Sequence, residues 1–144
     1  MHMPIKTPII TSLFFTALLC ACTSSPNECT PEPQADCAPN INTDFASLHK
    51  NIFSPRCATA GNNCHSSEGK QGNLQLSDPD AAYNALLGMD GTHARVLPGD
   101  PSCSMLMQRL DSDDPNVRMP KGENKLADGS RCAVRQWIQA GAVR

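Results

Sequence analysis

Cys57-Ala-Thr-Ala-Gly-Asn-Asn-Cys64-His65 is the stretch on which the reading of this chain turns. Two cysteines close on a Cys-His pair, and an isolated Met119-Pro120 follows far downstream. The attachment signature of a covalent c-type haem is Cys-x-x-Cys-His. Here six residues rather than two separate the cysteines.

Read through that widened spacing, Cys57 and Cys64 are the candidate attachment residues for haem c, and His65 and Met119 are the candidate axial ligands. A His directly after the second cysteine is placed under the iron by the thioether bond. The sixth position wants a soft, neutral donor, and a thioether sulfur there favours the ferrous state and raises the reduction potential. Such a site moves single electrons and leaves no coordination position for a substrate. The same residues admit other readings. Cys57 and Cys64 could form a disulfide, with His65 in a solvated loop and Met119 a packing residue; attachment could run through Cys64 alone; or the group could hold another metal.

Upstream, Lys6 precedes an apolar run from Ile9 through Leu19, and then comes Leu19-Cys20-Ala21-Cys22. The run is too short for a permanent membrane span and is followed by small and polar residues, as in a secretory signal peptide. Leu19 and Ala21 before Cys22 resemble the lipobox of bacterial lipoproteins, which implies a signal peptide over residues 1–21 and lipidation at Cys22. Thr23 and Ser24, with no Asp, directly follow Cys22, and by the sorting pattern of such proteins this favours the outer membrane. An ordinary signal peptide or an uncleaved anchor are the alternatives. Residues 22–42 hold Pro26, Pro31, Pro33 and Pro39 among polar side chains and read as a flexible tether.

Export puts the eight cysteines in an oxidising compartment. Cys20 leaves with the signal peptide, Cys22 takes lipid, and Cys29 and Cys37 can pair in a small loop. Cys103 and Cys132 are then expected to bridge, fixing the base of the loop that contains Met119, although other pairings stay open on sequence alone.

The folded domain is expected over residues 43–144, small enough to gain from disulfides or from a large apolar group in its interior. Its aromatic residues are Phe45, Phe53, Tyr83 and Trp137. A first helix is predicted from a Thr43 cap to about Phe53, with Phe45, Leu48 and Ile52 on one face and Pro55 limiting its continuation. A second starts at Ser77 or Asp78 with Pro79 in its first turn and stops at Gly88. A third starts at Asp100, with Pro101 in its first turn, and presents Leu106 and Leu110. A fourth runs from about Asp128 to Ala140, capped by Gly141. The fold class is therefore all-α, a small bundle of about four helices.

From Phe45 to Val143 the chain resembles the small class I c-type cytochrome domains of exported bacterial proteins. The pieces are Ile52-Phe53, Cys64-His65, Gly72-Asn-Leu-Gln-Leu, Val96-Leu-Pro-Gly-Asp-Pro, Arg118-Met-Pro and Trp137-Ile-Gln-Ala-Gly-Ala. The resemblance implies that the first and last helices cross, with Phe45, Leu48 and Ile52 against Val134, Trp137 and Ile138. It also implies His65 as proximal and Met119 as distal ligand.

Other candidates are weaker. His49 and His93 read as surface residues and Met105 and Met107 as core filler. Asp111, Asp113 and Asp114 lack the glycine and distal glutamate of a calcium loop. No nucleophile triad, phosphate loop or paired carboxylate is present, so no enzyme is expected. The chain carries 12 Lys and Arg against 14 Asp and Glu, and loss of residues 1–21 would remove Lys6 and no acid. Without a basic run, nucleic-acid binding has nothing to rest on. The expected function is a membrane-tethered electron-transfer protein whose partners are periplasmic or membrane redox proteins and, through acylated Cys22, the lipid bilayer. The alternative is a haem-free, disulfide-stabilised lipoprotein on the same scaffold, acting as a binding or structural module of the cell envelope.

Overall fold

Helix formation starts where the Asp44 carboxylate accepts the Ser47 N–H at 2.8 Å, one residue later than the expected Thr43 cap. A side-chain oxygen there satisfies one of the donors that a helix start leaves open. The result is α1, Phe45–Leu48, in a computed structural model that describes residues 36–59 and 64–144. α1 continues directly into a π-helical segment, His49–Cys57. Pro55 within it has no N–H for the carbonyl four residues back, and its ring crowds that carbonyl. The sequence predicts a stop near Phe53; the wider winding instead carries the helix to Cys57 and ends with the Ala58 N–H on the Phe53 carbonyl at 3.1 Å.

α2, Pro79–Leu87, has the predicted grammar: the Asp78 carboxylate accepts from the N–H groups of Asp80 and Ala81, and Gly88 ends the helix at φ 70°. A Cβ on Gly88 would sit 2.9 Å from both the Ala94 nitrogen and the Thr92 oxygen, which are backbone atoms. Gly88→Ala is therefore expected to destabilise the fold by about 1–3 kcal/mol, read as a lower urea midpoint at unchanged m-value.

α3, Met105–Asp111, is shorter than predicted. Asp100 and Pro101 open a turn rather than a helix: the Asp100 carboxylate accepts from the Cys103 N–H and the Ser102 hydroxyl. Buried Ser104 donates its hydroxyl to the Asp100 carbonyl at 2.8 Å and accepts the Leu97 N–H. The helix begins only after it. Its buried face is Met107 and Leu110, with Leu106 half-buried and Met105 exposed.

α4, Asp128–Gln139, buries Cys132, Ala133, Val134, Trp137 and Ile138. The Phe45 ring lies 5.6 Å from that of Trp137 and meets Tyr83 edge-on at 5.0 Å, while Phe53 meets Trp137 edge-on at 6.5 Å. The first and last helices thus pack through the faces that the sequence assigns to them. Asp111 at the end of α3 takes Arg131 at 2.5 Å and also Arg135, which fastens α3 to α4. The C-terminal turn is clipped on by Trp137 Nε1, donating to the Val143 carbonyl at 2.8 Å, and by the Tyr83 hydroxyl, donating to that of Ala142. The fold is all-α, with four α-helices and no strand among the described residues.

The disulfides differ from the expected pairs. Cys37 is bonded to Cys132, with Cα atoms 5.8 Å apart. Neither Cys29 with Cys37 nor Cys103 with Cys132 is formed. Cys103 is itself disulfide-bonded. The physical reason is that the end of the expected tether lies along α4. Gln136 Nε2 donates to the Cys37 carbonyl at 3.3 Å, the Asn40 N–H to the Gly129 carbonyl, and the Ser130 hydroxyl to Asn40 Oδ1, while Ile41 packs on the core. Gly129 permits this approach, since a Cβ there would come within 2.8 Å of Asn40 Cβ. The expected signal peptide, Cys22, Cys29 and the first part of the tether lie outside the described residues. Among the described residues no helix is long and apolar enough to cross a membrane.

Candidate functional site

The π-helical segment delivers Cys57 to the edge of the core, half-buried and packed against it. The chain then leaves through residues 60–63, which lie outside the described residues, and returns at Cys64. The return is closed by a backbone hydrogen bond: the His65 N–H donates to the Cys57 carbonyl at 3.1 Å. This bond answers the difficulty posed by the widened spacing. The backbones of Cys57 and His65 meet despite the six residues between the two cysteines.

A second clasp holds Cys64, His65 and Ser66 from the far side. The Gln71 N–H donates to the Cys64 carbonyl at 2.9 Å, the Lys70 N–H to that of Ser66, and the Leu76 N–H to that of His65 at 2.7 Å. The Ser66 hydroxyl accepts the Gly69 N–H at 3.1 Å. His49 is half-buried and its Nε2 lies 3.0 Å from the Leu76 carbonyl, so it supports the clasp from the π-helical segment instead of lying free on the surface.

Two features of this corner set its chemistry. Burial pushes the Cys57 thiol up to about 12, with opposing help from Arg56 and a further push from neighbouring Cys64 and Glu123. At neutral pH it is a protonated thiol, the form that is slow in thiolate exchange. His65 is shifted the other way: burial lowers its pKa, against the pull of the Leu74 and Gln71 backbone and with some help from Arg95. The neutral imidazole is the form that binds a metal. Its Nδ1 is buried and makes no hydrogen bond, an arrangement that costs free energy in a site with nothing to satisfy it.

Met119 lies on the loop between α3 and α4. It is half-buried, packs against the core, and its N–H donates to the Arg109 carbonyl at 2.9 Å; the peptide bond to buried Pro120 is cis. The loop reaches the cysteine corner through Arg56, whose Nη2 meets Glu123 Oε2 at 2.6 Å. Beside that pair is an open groove of about 660 Å³ lined by Arg56, Pro115, Arg118, Lys121 and Glu123 among others. The structure therefore unites Cys57, Cys64 and His65 in one corner and brings the Met119 loop to its edge. The Met119 backbone is tied to Arg109, not to His65.

These residues fit a covalently held haem: two thiols at the two sides of one closed turn, a neutral imidazole beside the second, and a thioether on the neighbouring loop. Cys57 stands as a thiol. Among the described residues no group of three or more His, Cys, Asp or Glu could hold a metal ion. The acidic loop is engaged in salt bridges, Asp111 with two arginines and Asp113 with Lys125 at 2.6 Å. Sequence reasoning missed Arg56, Glu123 and Arg95, none of which lies in a motif.

A family model described as Planctomycete cytochrome C matches residues 62–123. The match starts just before Cys64-His65 and extends past Met119, and it leaves Cys57 outside. No curated protein and no solved structure matches the chain. Over the matched residues, with the helical fold and the cysteine corner described above, the chain carries a cytochrome c-like domain.

Proposed function

We propose that this protein is an exported electron carrier that holds one haem c through Cys57 and Cys64, with His65 and Met119 as the iron ligands. The observation that carries the proposal is the closing hydrogen bond, in which the His65 N–H on the Cys57 carbonyl sets Cys57 beside the Cys64-His65 pair despite the six residues between the cysteines. Bound there, haem iron would supply a one-electron site, and a His/Met pair keeps its potential high.

The chain's own residues do the rest. The clasp of residues 70–76 fixes the backbone that carries His65, burial keeps its imidazole neutral, and the Arg56–Glu123 pair holds the Met119 loop against the cysteine corner. Lipidation at Cys22, attachment to the outer membrane facing the periplasm, a leash over the residues that follow, and redox proteins of the periplasm or membrane as partners complete the proposal. Their support is the signal-like N-terminus and the run of prolines after it.

The test is a pyridine haemochrome spectrum of protein exported beside a working haem c maturation system and then extracted with acid acetone. Haem that stays with the polypeptide is the expected result; a colourless chain, next to a control cytochrome that matures normally, would overturn the proposal. Met119→Ala in the loaded protein is expected to lower the midpoint potential or open the sixth position to added ligands. An unchanged spectrum and potential would remove Met119 from the site.

A further inference from the structure

Arg95 makes more side-chain hydrogen bonds than any other residue described, and all of them bear on one junction. Its Nη1 donates to the Ala85 carbonyl at 2.9 Å, to the Thr92 hydroxyl at 2.9 Å and to the His93 carbonyl at 2.8 Å. Its Nη2 donates to the Gly72 carbonyl at 2.6 Å and to that of Asn73 at 3.3 Å. One planar fork thus joins the C-terminal end of α2, the turn after it and the loop at residues 72–73. The arginine itself is fixed from behind, because its N–H donates to the Leu86 carbonyl and its own carbonyl accepts the Leu106 N–H at 2.9 Å.

The loop that receives Nη2 needs such a restraint. Lys70, Gly72 and Asn73 all have positive φ, at 41°, 65° and 54°. For Lys70 and Asn73 that conformation is strained and persists only when the surroundings enforce it. Inside the loop the Asn73 N–H reaches the Lys70 carbonyl at 2.9 Å and the Leu74 N–H reaches the Gln71 carbonyl at 3.4 Å, and neither ties the loop to another element. Immediately before and after it come the bonds that hold Cys64, His65 and Ser66.

We propose that Arg95 is the positioning residue of the proximal side: its guanidinium holds the Gly72–Asn73 turn to α2 and thereby sets the clasp that presents His65. The proposal rests on the reading of His65 as an iron ligand. Arg95 is also a fixed positive charge, and a cation on this side of the site would favour the reduced iron. Lysine is no substitute for the fork, since it carries one compact charge without two planar donor edges.

The experiment compares Arg95→Lys and Arg95→Met with the unaltered protein by two readouts. Amide hydrogen exchange in the haem-free chain reports the clasp. In both variants the Leu76 and Gln71 amides should exchange about tenfold faster or more, while those of Val134 and Trp137 in α4 keep their protection. The midpoint potential of the haem-loaded protein should fall in Arg95→Met and stay near that of the unaltered protein in Arg95→Lys, which keeps the charge. Unchanged exchange at Leu76, or an equal rise at Val134 and Trp137, would overturn the proposal. If Arg95→Met does not fold, Arg95→Lys still decides it by exchange. Absence of haem from the unaltered protein would sink the ligand role of His65 and leave the exchange result standing by itself.

Discussion

Cys64→Ala and His65→Ala are each expected to reduce covalently bound haem to background, whereas Cys57→Ala should retain haem through a single thioether. The asymmetry follows from the way the corner is built. Cys64 and His65 sit inside the clasp of residues 70–76 and inside the stretch shared with the cytochrome family, residues 62–123. Cys57 lies outside that stretch, at the end of the π-helical segment, and its contribution to the turn is a backbone carbonyl that alanine also possesses.

Alanine at position 57 therefore leaves the closing bond in place and removes only one thiol. At position 65 the substitution deletes the imidazole while leaving its N–H on the Cys57 carbonyl, so a correctly folded chain should still result. The comparison is made by acid-acetone extraction followed by a haemochrome spectrum, in which the band of Cys57→Ala should shift to the position of a single thioether. Equal loss of haem in Cys57→Ala and Cys64→Ala would show instead that both thiols are needed for attachment.

Helix positions were largely legible because local rules decided them. Asp78, Pro79 and Gly88 delimit α2 by capping chemistry alone, and the spacing of Val134, Trp137 and Ile138 identifies the buried face of α4. Where the same rules were ambiguous, the outcome went elsewhere. Asp100-Pro101 opens a turn as readily as a helix, and the choice fell to Ser104, whose hydroxyl finds both its partners only in the turn. Pro55 was a sound reason to end an α-helix, but a wider winding was also available to the chain.

In the site, the covalent grammar of Cys57, Cys64, His65 and Met119 could be read, since those residue types are rare and their order is informative. The parts that hold them could not. Arg95 donates almost entirely to backbone carbonyls, which every residue possesses, so no pattern of side chains announces it. The Arg56–Glu123 pair spans 67 residues and has no local signature. The closing bond from His65 to Cys57 is likewise a main-chain contact across a loop.

Removing both partners of the Cys37–Cys132 disulfide is expected to lower the melting temperature by roughly 15–30 °C. The bridge spans 95 residues of sequence, and in the chain-entropy treatment a loop of that size contributes about 3–5 kcal/mol by restricting the unfolded ensemble. In a domain of about a hundred residues, each kcal/mol moves the midpoint by about 4–8 °C. The effect is large because the bridge joins the N-terminal segment to the middle of the helix that carries Trp137, the centre of the aromatic core. Without it, residues 37–42 keep only a few hydrogen bonds and Ile41 to hold them on α4.

Cys37→Ala with Cys132→Ala is the appropriate variant, since Cys132 is 2 % exposed and a serine there would bury a hydroxyl. The double change also leaves no orphan thiol, which a single substitution would leave to exchange with other cysteines of the chain. A single Cys37→Ala variant should therefore melt much like the double one and yet mature with less haem. Melting curves of the two variants, with the haem content of each, separate these effects. A loss of only a few degrees in the double variant would mean that the contacts of residues 37–42 hold the segment on α4 by themselves, with the covalent bond adding little.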